Sequence, residues 1–181
     1  MIFYITESVN TNIYYHLSSN KFDKFDINKA GVEKSSTVHG YGLYFSSNPK
    51  NLEVYGFSNS YLYQVEIVPS VLKGLVNYNE VIDSPSDFFD ELSEIYEDED
   101  ELREVLGLEG SDYEGDYPTY ESIYDWITDT LGSKSKASKF MLENMSITGF
   151  HYRSMENKEG TNIVLFSDYG IKINKIKKVG K

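Results

Sequence analysis

No cysteine occurs among the 181 residues, so thiol catalysis, disulfides and cysteine-ligated zinc are excluded. Histidine is scarce. His16, His39 and His151 are the full supply, and none stands at HxxxH or HExxH spacing. No metal site is expected from that pattern. There is no run of 18 apolar residues, so no membrane-spanning helix is expected. The opening MIFYITESVN lacks the basic flank and long apolar run of a secretory signal. These absences lead to the expectation of a cytoplasmic protein. GxxxxGK[ST] and GxSxG are both missing, which removes one familiar route to phosphate binding and one to acyl transfer.

Bases are also missing from one long stretch. Between Glu80 and Asp125 lie 18 of the 29 acids and one of the 17 bases, Arg103, a net of −17. The rest of the chain carries 11 acids and 16 bases, a net of +5. A mildly basic body thus bears a strongly acidic insert, placed at about 80–118. Basic clusters interleaved with aromatics are absent apart from the short tail KIKKVGK, so direct nucleic-acid binding is not expected. Glu-x-Glu pairs occur inside EIYEDEDELREVLG, but a run this acidic makes them by composition. A solvated helix face accounts for them.

What is present is apolar and aromatic. Apolar residues make up 40% of the chain, enough to bury a core, and there are 16 tyrosines, which favour strands and stacking surfaces. The length bounds the chain to one domain, 1–181, carrying the insert. Strand-like runs cover Ile2 to Thr6, Ile13 to Leu17, Leu43 to Ser46, Tyr61 to Val68 and Leu72 to Tyr78. Helices are expected from Ser84-Pro85 to Tyr96, over Glu101 to Leu106, over Tyr120 to Leu131 with Thr119 as cap, and from Ser133 or Ser135 to Met145. Three further strands follow at Thr148 to Tyr152, Thr161 to Phe166 and Ile171 to Ile176. Ser167 to Gly170 reads as a hairpin turn between the last two. Strands, then helices, then strands imply an α+β domain. Phe22 and Phe25, in KFDKFDINKAG, are placed to pin an irregular segment on the core. Residues 29–40 read as an exposed loop.

The centre of this order is Gly40 to Tyr55, GYGLYFSSNPKNLEVY. Gly40 and Gly42 permit backbone shapes or close approaches that side chains block. Pro49 after Asn48 starts a helical turn. Tyr44 and Tyr55 are eleven apart, either two core residues or two walls of a slot for a flat heterocycle. His16 ends a strand beside two hydroxyls. It is either a structural histidine or a donor and acid–base group near neutral pH. Asn162 opens a strand, as a turn residue or as an amide able to bond a ribose hydroxyl in either direction.

Taken together and in order, these pieces resemble the ADP-ribosyltransferase superfamily, in its poly(ADP-ribose)-polymerase-like and diphtheria-toxin-like branch. His16 in YYHLSS is similar to the first signature motif, with Ser18 two residues on. GYGLYFS is similar to the second, with Tyr44 as its signature tyrosine and Tyr55 as its second stacking tyrosine. The third position falls on Asn162 in TNIVLF. Ser133 to Leu142, Ile147 to Tyr152, Asn162 to Phe166 and Ile171 to Ile173 resemble the ADP-ribosyltransferase-like domains of phage and mobile-element polyvalent proteins. The likeness covers about three quarters of the chain and leaves out the insert.

The resemblance implies a split antiparallel β-sandwich and an NAD-dependent mono-ADP-ribosyltransferase. It implies an NAD site at His16, Leu17, Ser18, Gly42, Tyr44, Phe45 and Tyr55, with His16, Tyr44 and Asn162 in the catalytic roles. The implied partner is a protein with a basic surface, as for an effector acting in a host cytoplasm, and NAD hydrolysis is the same chemistry with water as acceptor. Two departures stand out. Asn162 replaces the family glutamate, keeping a hydrogen bond but losing the charge, so slow transfer, or help from Glu159 or Asp168, is expected. Leu52 stands where many relatives carry a serine. The alternative is a spent transferase fold whose acidic insert imitates nucleic acid and plugs a basic groove.

Overall fold

The computed structural model describes residues 12–30, 39–55, 60–108, 118–153 and 160–180, with the backbone alone at 53–55. The expected strand at Ile2 to Thr6, the loop at 111–117 and Glu159 lie outside these residues.

Among the described residues, seven strands form one sheet. They are β1 (Ile13–Ser18), β2 (Leu43–Ser46), β3 (Ser60–Ile67), β4 (Leu75–Asn77), β5 (Gly149–Tyr152), β6 (Asn162–Leu165) and β7 (Ile171–Val179), in the order β4-β5-β6-β2-β1-β3-β7. Every pairing is antiparallel except β4 with β5. Five helices complete the described fold: α1 (Pro69–Lys73), α2 (Phe89–Ser93), α3 (Glu99–Val105), α4 (Tyr120–Leu131) and α5 (Lys134–Glu143). The α+β class read from the element order holds.

The sheet buries apolar residues on both faces. On β2 and β6, Leu43, Phe45, Ile163 and Leu165 enter one core with Phe25, Tyr63, Val65 and Ile67. Val164 enters the other core, with Ile123, Tyr124, Ile127, Met141 and Phe150, and Tyr44 packs against it. Alternate residues of each strand point to opposite faces, so these central strands read as continuous apolar runs.

The helix signals work as physical chemistry says they should. Thr119 Oγ1 accepts from the Ser122 N–H at 3.1 Å, and Ser122 answers at the Thr119 N–H, closing a capping box on α4. Gly132 ends α4 at φ 75°. Ser133 caps α5.

Three expectations change. Pro69 does more than end β3. It starts α1, since its fixed φ suits a first helical turn and the lost N–H is unneeded there, so only Leu75–Asn77 of the expected Leu72–Tyr78 strand remains. The single helix expected over Ser84–Tyr96 is a 3-10 turn, Pro85–Phe88, followed by the short α2. Finally, Ser167 to Gly170 does not close a hairpin between β6 and β7. Both sides of β6 are taken by β5 and β2, so β7 crosses to the far edge and pairs with β3.

Candidate active site

β1 and β2 meet at a single pair, Tyr15 opposite Ser46, whereas β1 pairs with β3 along its whole length. Beyond that pair the two strands part like a fork. His16, Leu17 and Ser18 flank one side of the opening and Gly42, Leu43 and Tyr44 the other, around a cleft of about 440 Å3. A volume of that size lies in the usual range for small-molecule sites.

The His16 ring bridges the fork. Its Nδ1 lies 2.8 Å from the Tyr44 carbonyl oxygen. Only a donor can face a carbonyl, so Nδ1 carries the hydrogen and Nε2 is the acceptor nitrogen of the neutral ring. The imidazole thus gives the Tyr44 carbonyl a donor where β1 has turned away. Phe25, Phe45 and Tyr63 surround the ring at centroid distances of 5.2, 5.6 and 6.0 Å.

The third side of the cleft is a strap, residues 20–30, without strand or α-helix. Phe22 stacks on Tyr63 at 4.3 Å and 9°, and Phe25 is buried, so the two phenylalanines do pin this segment. The Tyr63 hydroxyl accepts from the Phe22 N–H at 2.7 Å and reaches the carbonyls of Asn20 and Phe22. Burial raises the Tyr63 pKa, which keeps this hydroxyl protonated. Asp26 caps the turn Ile27–Lys29. Among the described residues that line the cleft, Lys21, Lys24 and Lys29 are the lysines and Asp26 is the one acid, so cations gather here in a chain of net charge −12.

The expected site residues divide. His16, Leu17, Ser18, Gly42 and Tyr44 all line the cleft. Phe45 is 2% exposed and sits behind His16 as support rather than at the surface of the cleft. Only the backbone of Tyr55 is described, in the 3-10 turn Pro49–Tyr55, so the expected slot between Tyr44 and Tyr55 lies outside what the structure describes. The Tyr44 hydroxyl donates to the Gly40 carbonyl at 2.7 Å and accepts from the His39 N–H at 3.2 Å, and its ring meets Tyr152 edge-on at 6.5 Å. Tyr44 pairs with Val164, and Ser46 with Asn162. By strand alternation Tyr44 and Asn162 therefore share one face, and His16 with Phe45 the other. Asn51 Nδ2 donates to Asn162 Oδ1 at 3.5 Å, a long bond. Asp168 meets the strap, where its Oδ2 accepts from the Ile27 N–H at 3.4 Å. Leu52 is 9% exposed and belongs to the packing.

His39 and Gly40, expected in an exposed loop, are packed in. Gly40 has φ 109°, and a Cβ there would stand 3.3 Å from the Tyr124 ring. Gly42 has no room for a Cβ, which would fall 2.3 Å from the Leu165 carbonyl oxygen of β6. The His39 ring lies 3.9 Å from Tyr152 and 5.1 Å from Tyr78, with Nδ1 buried and unbonded. Burial chiefly lowers its pKa, Lys134 adding to the effect and Glu121 opposing it.

Sequence reading missed Tyr41, Tyr63, Tyr124 and Ser138, the hydroxyl residues that hold this region. Tyrosine abundance and a serine on the inward side of α5 were the available signals. No family model matches the chain, and neither a curated protein nor a solved structure does. Among the described residues, no group of three or more His, Asp or Glu is placed to hold a metal ion.

Proposed function

We propose that this chain is an NAD-dependent mono-ADP-ribosyltransferase with an ADP-ribosyltransferase-like fold. The observation that carries the reading is the fork. It puts the residues of the first two motif-like stretches, His16–Ser18 and Gly42–Tyr44, on one cleft and joins them by the His16–Tyr44 bond. The cleft suits NAD in kind. It offers aromatic surface at Phe22, hydroxyl and imidazole groups for ribose, and the exposed lysines 21, 24 and 29 for a diphosphate.

NAD, when bound, supplies the ADP-ribosyl group through its labile nicotinamide–ribose bond. The chain's own part is positioning and electrostatics. His16, fixed by Tyr44, orients a ribose hydroxyl. Tyr44 forms one wall for the nicotinamide. Asn162, on the next strand and the same face, offers a neutral hydrogen bond where a carboxylate would also stabilise positive charge. The acceptor is a nucleophile on a protein, or water. The exposed acids of α2 and α3 select a protein with a basic surface.

The test is incubation with labelled NAD and a cell lysate. Expected are proteins gaining one ADP-ribose, release of nicotinamide, loss of both in His16→Ala and Tyr44→Ala, and faster transfer in Asn162→Glu. No transfer and no nicotinamide release, with NAD affinity unchanged in Tyr44→Ala, would overturn the reading.

A second reading rests on the insert. Asp98, Glu99, Asp100, Glu101 and Glu104 are all exposed around α3, a dense anionic face able to occupy a basic groove on a nucleic-acid-binding partner. Charge reversal at Glu97 to Glu101 that abolishes biological effect, while Tyr44→Ala spares it, selects this second reading.

A further inference from the structure

The segment that opens the second side of the cleft is held by the helices. The Tyr41 N–H donates to the Tyr124 hydroxyl of α4 at 2.9 Å. The Tyr41 carbonyl accepts from Ser138 Oγ of α5 at 2.7 Å. The two side chains also meet each other at 3.0 Å, and the Tyr124 hydroxyl lies 2.9 Å from the Lys134 carbonyl. Proton accounting closes. Ser138 spends its hydrogen on Tyr41, so the Tyr124 hydroxyl accepts from Tyr41 and donates to Lys134 or Ser138. Tyr124 is 0% and Ser138 1% exposed, so water cannot replace either group. The side chain of Tyr41 reaches the other way, its hydroxyl donating to the Ile27 carbonyl of the strap at 3.1 Å. One residue therefore joins the helical layer, the cleft strand and the strap.

We infer that Tyr124 and Ser138 are positioning residues for the cleft, gripping the Tyr41 peptide on both polar groups and so setting where Gly42 to Tyr44 stand. The close approach of Gly40 to Tyr124, where an added Cβ would stand 3.3 Å from the ring, belongs to the same grip. Because His16 bonds the Tyr44 carbonyl, the grip extends to the imidazole. The consequence for NAD rests on the transferase reading; the effect on the cleft does not.

The test compares Tyr124→Phe, Ser138→Ala and Ser138→Thr with Ile127→Val, a core change on α4 that leaves every hydroxyl in place. Two ligand-free signals are read by NMR: amide exchange at Tyr41, and the His16 Nδ1–H resonance that reports the bond to Tyr44. Tyr124→Phe and Ser138→Ala are expected to speed Tyr41 exchange roughly tenfold or more and to shift or broaden the His16 signal, as a buried donor or acceptor left unpaired would. Ser138→Thr restores both signals, and Ile127→Val leaves both unchanged. NAD affinity falls about tenfold in the first two variants. Unchanged His16 and Tyr41 signals in Tyr124→Phe and Ser138→Ala, or equal changes in Ile127→Val, overturn the inference. A wild-type chain that binds no NAD defeats the transferase reading while the two NMR signals still decide the positioning role.

Discussion

Around the cleft, main-chain groups are held by hydroxyls; in the acidic insert, leucines do the holding. Tyr63 grips the strap at Phe22, and Tyr124 with Ser138 grips Tyr41. In the insert, Leu92, Leu102 and Leu106 are fully buried against Ile123 and Ile127, while the acids of α3 face outward and Arg103 sits over the Phe89 ring at 4.7 Å. Hydrogen bonds have direction, so the hydroxyl-held region can define the position of a reacting group. Apolar burial has almost none, so the leucine-held region is free to vary its surface charge without losing its fold. The two regions also oppose each other in charge, three lysines at the cleft against the −17 stretch.

Three changes break or sharpen this contrast. The largest effect is expected from Leu102→Ala, which opens a cavity under α3 and should cost about 2–5 kcal/mol in chemical denaturation. If the regions are held independently, the exchange rate of the Phe22 amide in the strap stays as in the wild type. A parallel loss at Phe22 would show that they are one unit. Tyr63→Phe is the converse, removing the hydroxyl that the Phe22 N–H donates to, at a cost of about 1–3 kcal/mol. Amide exchange should rise at Phe22 and stay unchanged in α3.

The smallest effect is a pH dependence from His39. Its folded pKa is depressed, so below the ordinary value of about 6.5 the unfolded chain binds a proton that the folded chain resists. Its neutral form therefore favours folding fully above that pH, and the contribution falls as pH drops through about 6.5. The melting temperature of the wild type should decline more than that of His39→Phe between pH 7 and pH 5.5. Equal declines would remove His39 from the account.

How much was legible differs by element. α4 and α5 were read to within a residue or two because their ends are local chemistry, with Thr119, Gly132 and Ser133 carrying the signals. Asp168 stands near Asn162 in sequence, and only the crossover of β7 to the far edge shows that its carboxylate meets the strap at Ile27. The fork was invisible, since nothing in IYYHLS or LYFS states that the two strands share a single pair.

By itself the sequence determined the α+β class, the ends of α4 and α5, the charge separation and the motif-like stretches at His16 and Gly40 to Phe45, because each depends on composition or on neighbours a few residues apart. Tertiary structure alone decided which strands part to make a cleft, which face each ring takes, and that Tyr41 is gripped by α4 and α5. Those outcomes depend on hydrogen bonds spanning 14 to 97 residues, as Tyr41 to Ile27 and Ser138 to Tyr41 do. Such a bond leaves no local periodicity for a reader of the chain to find.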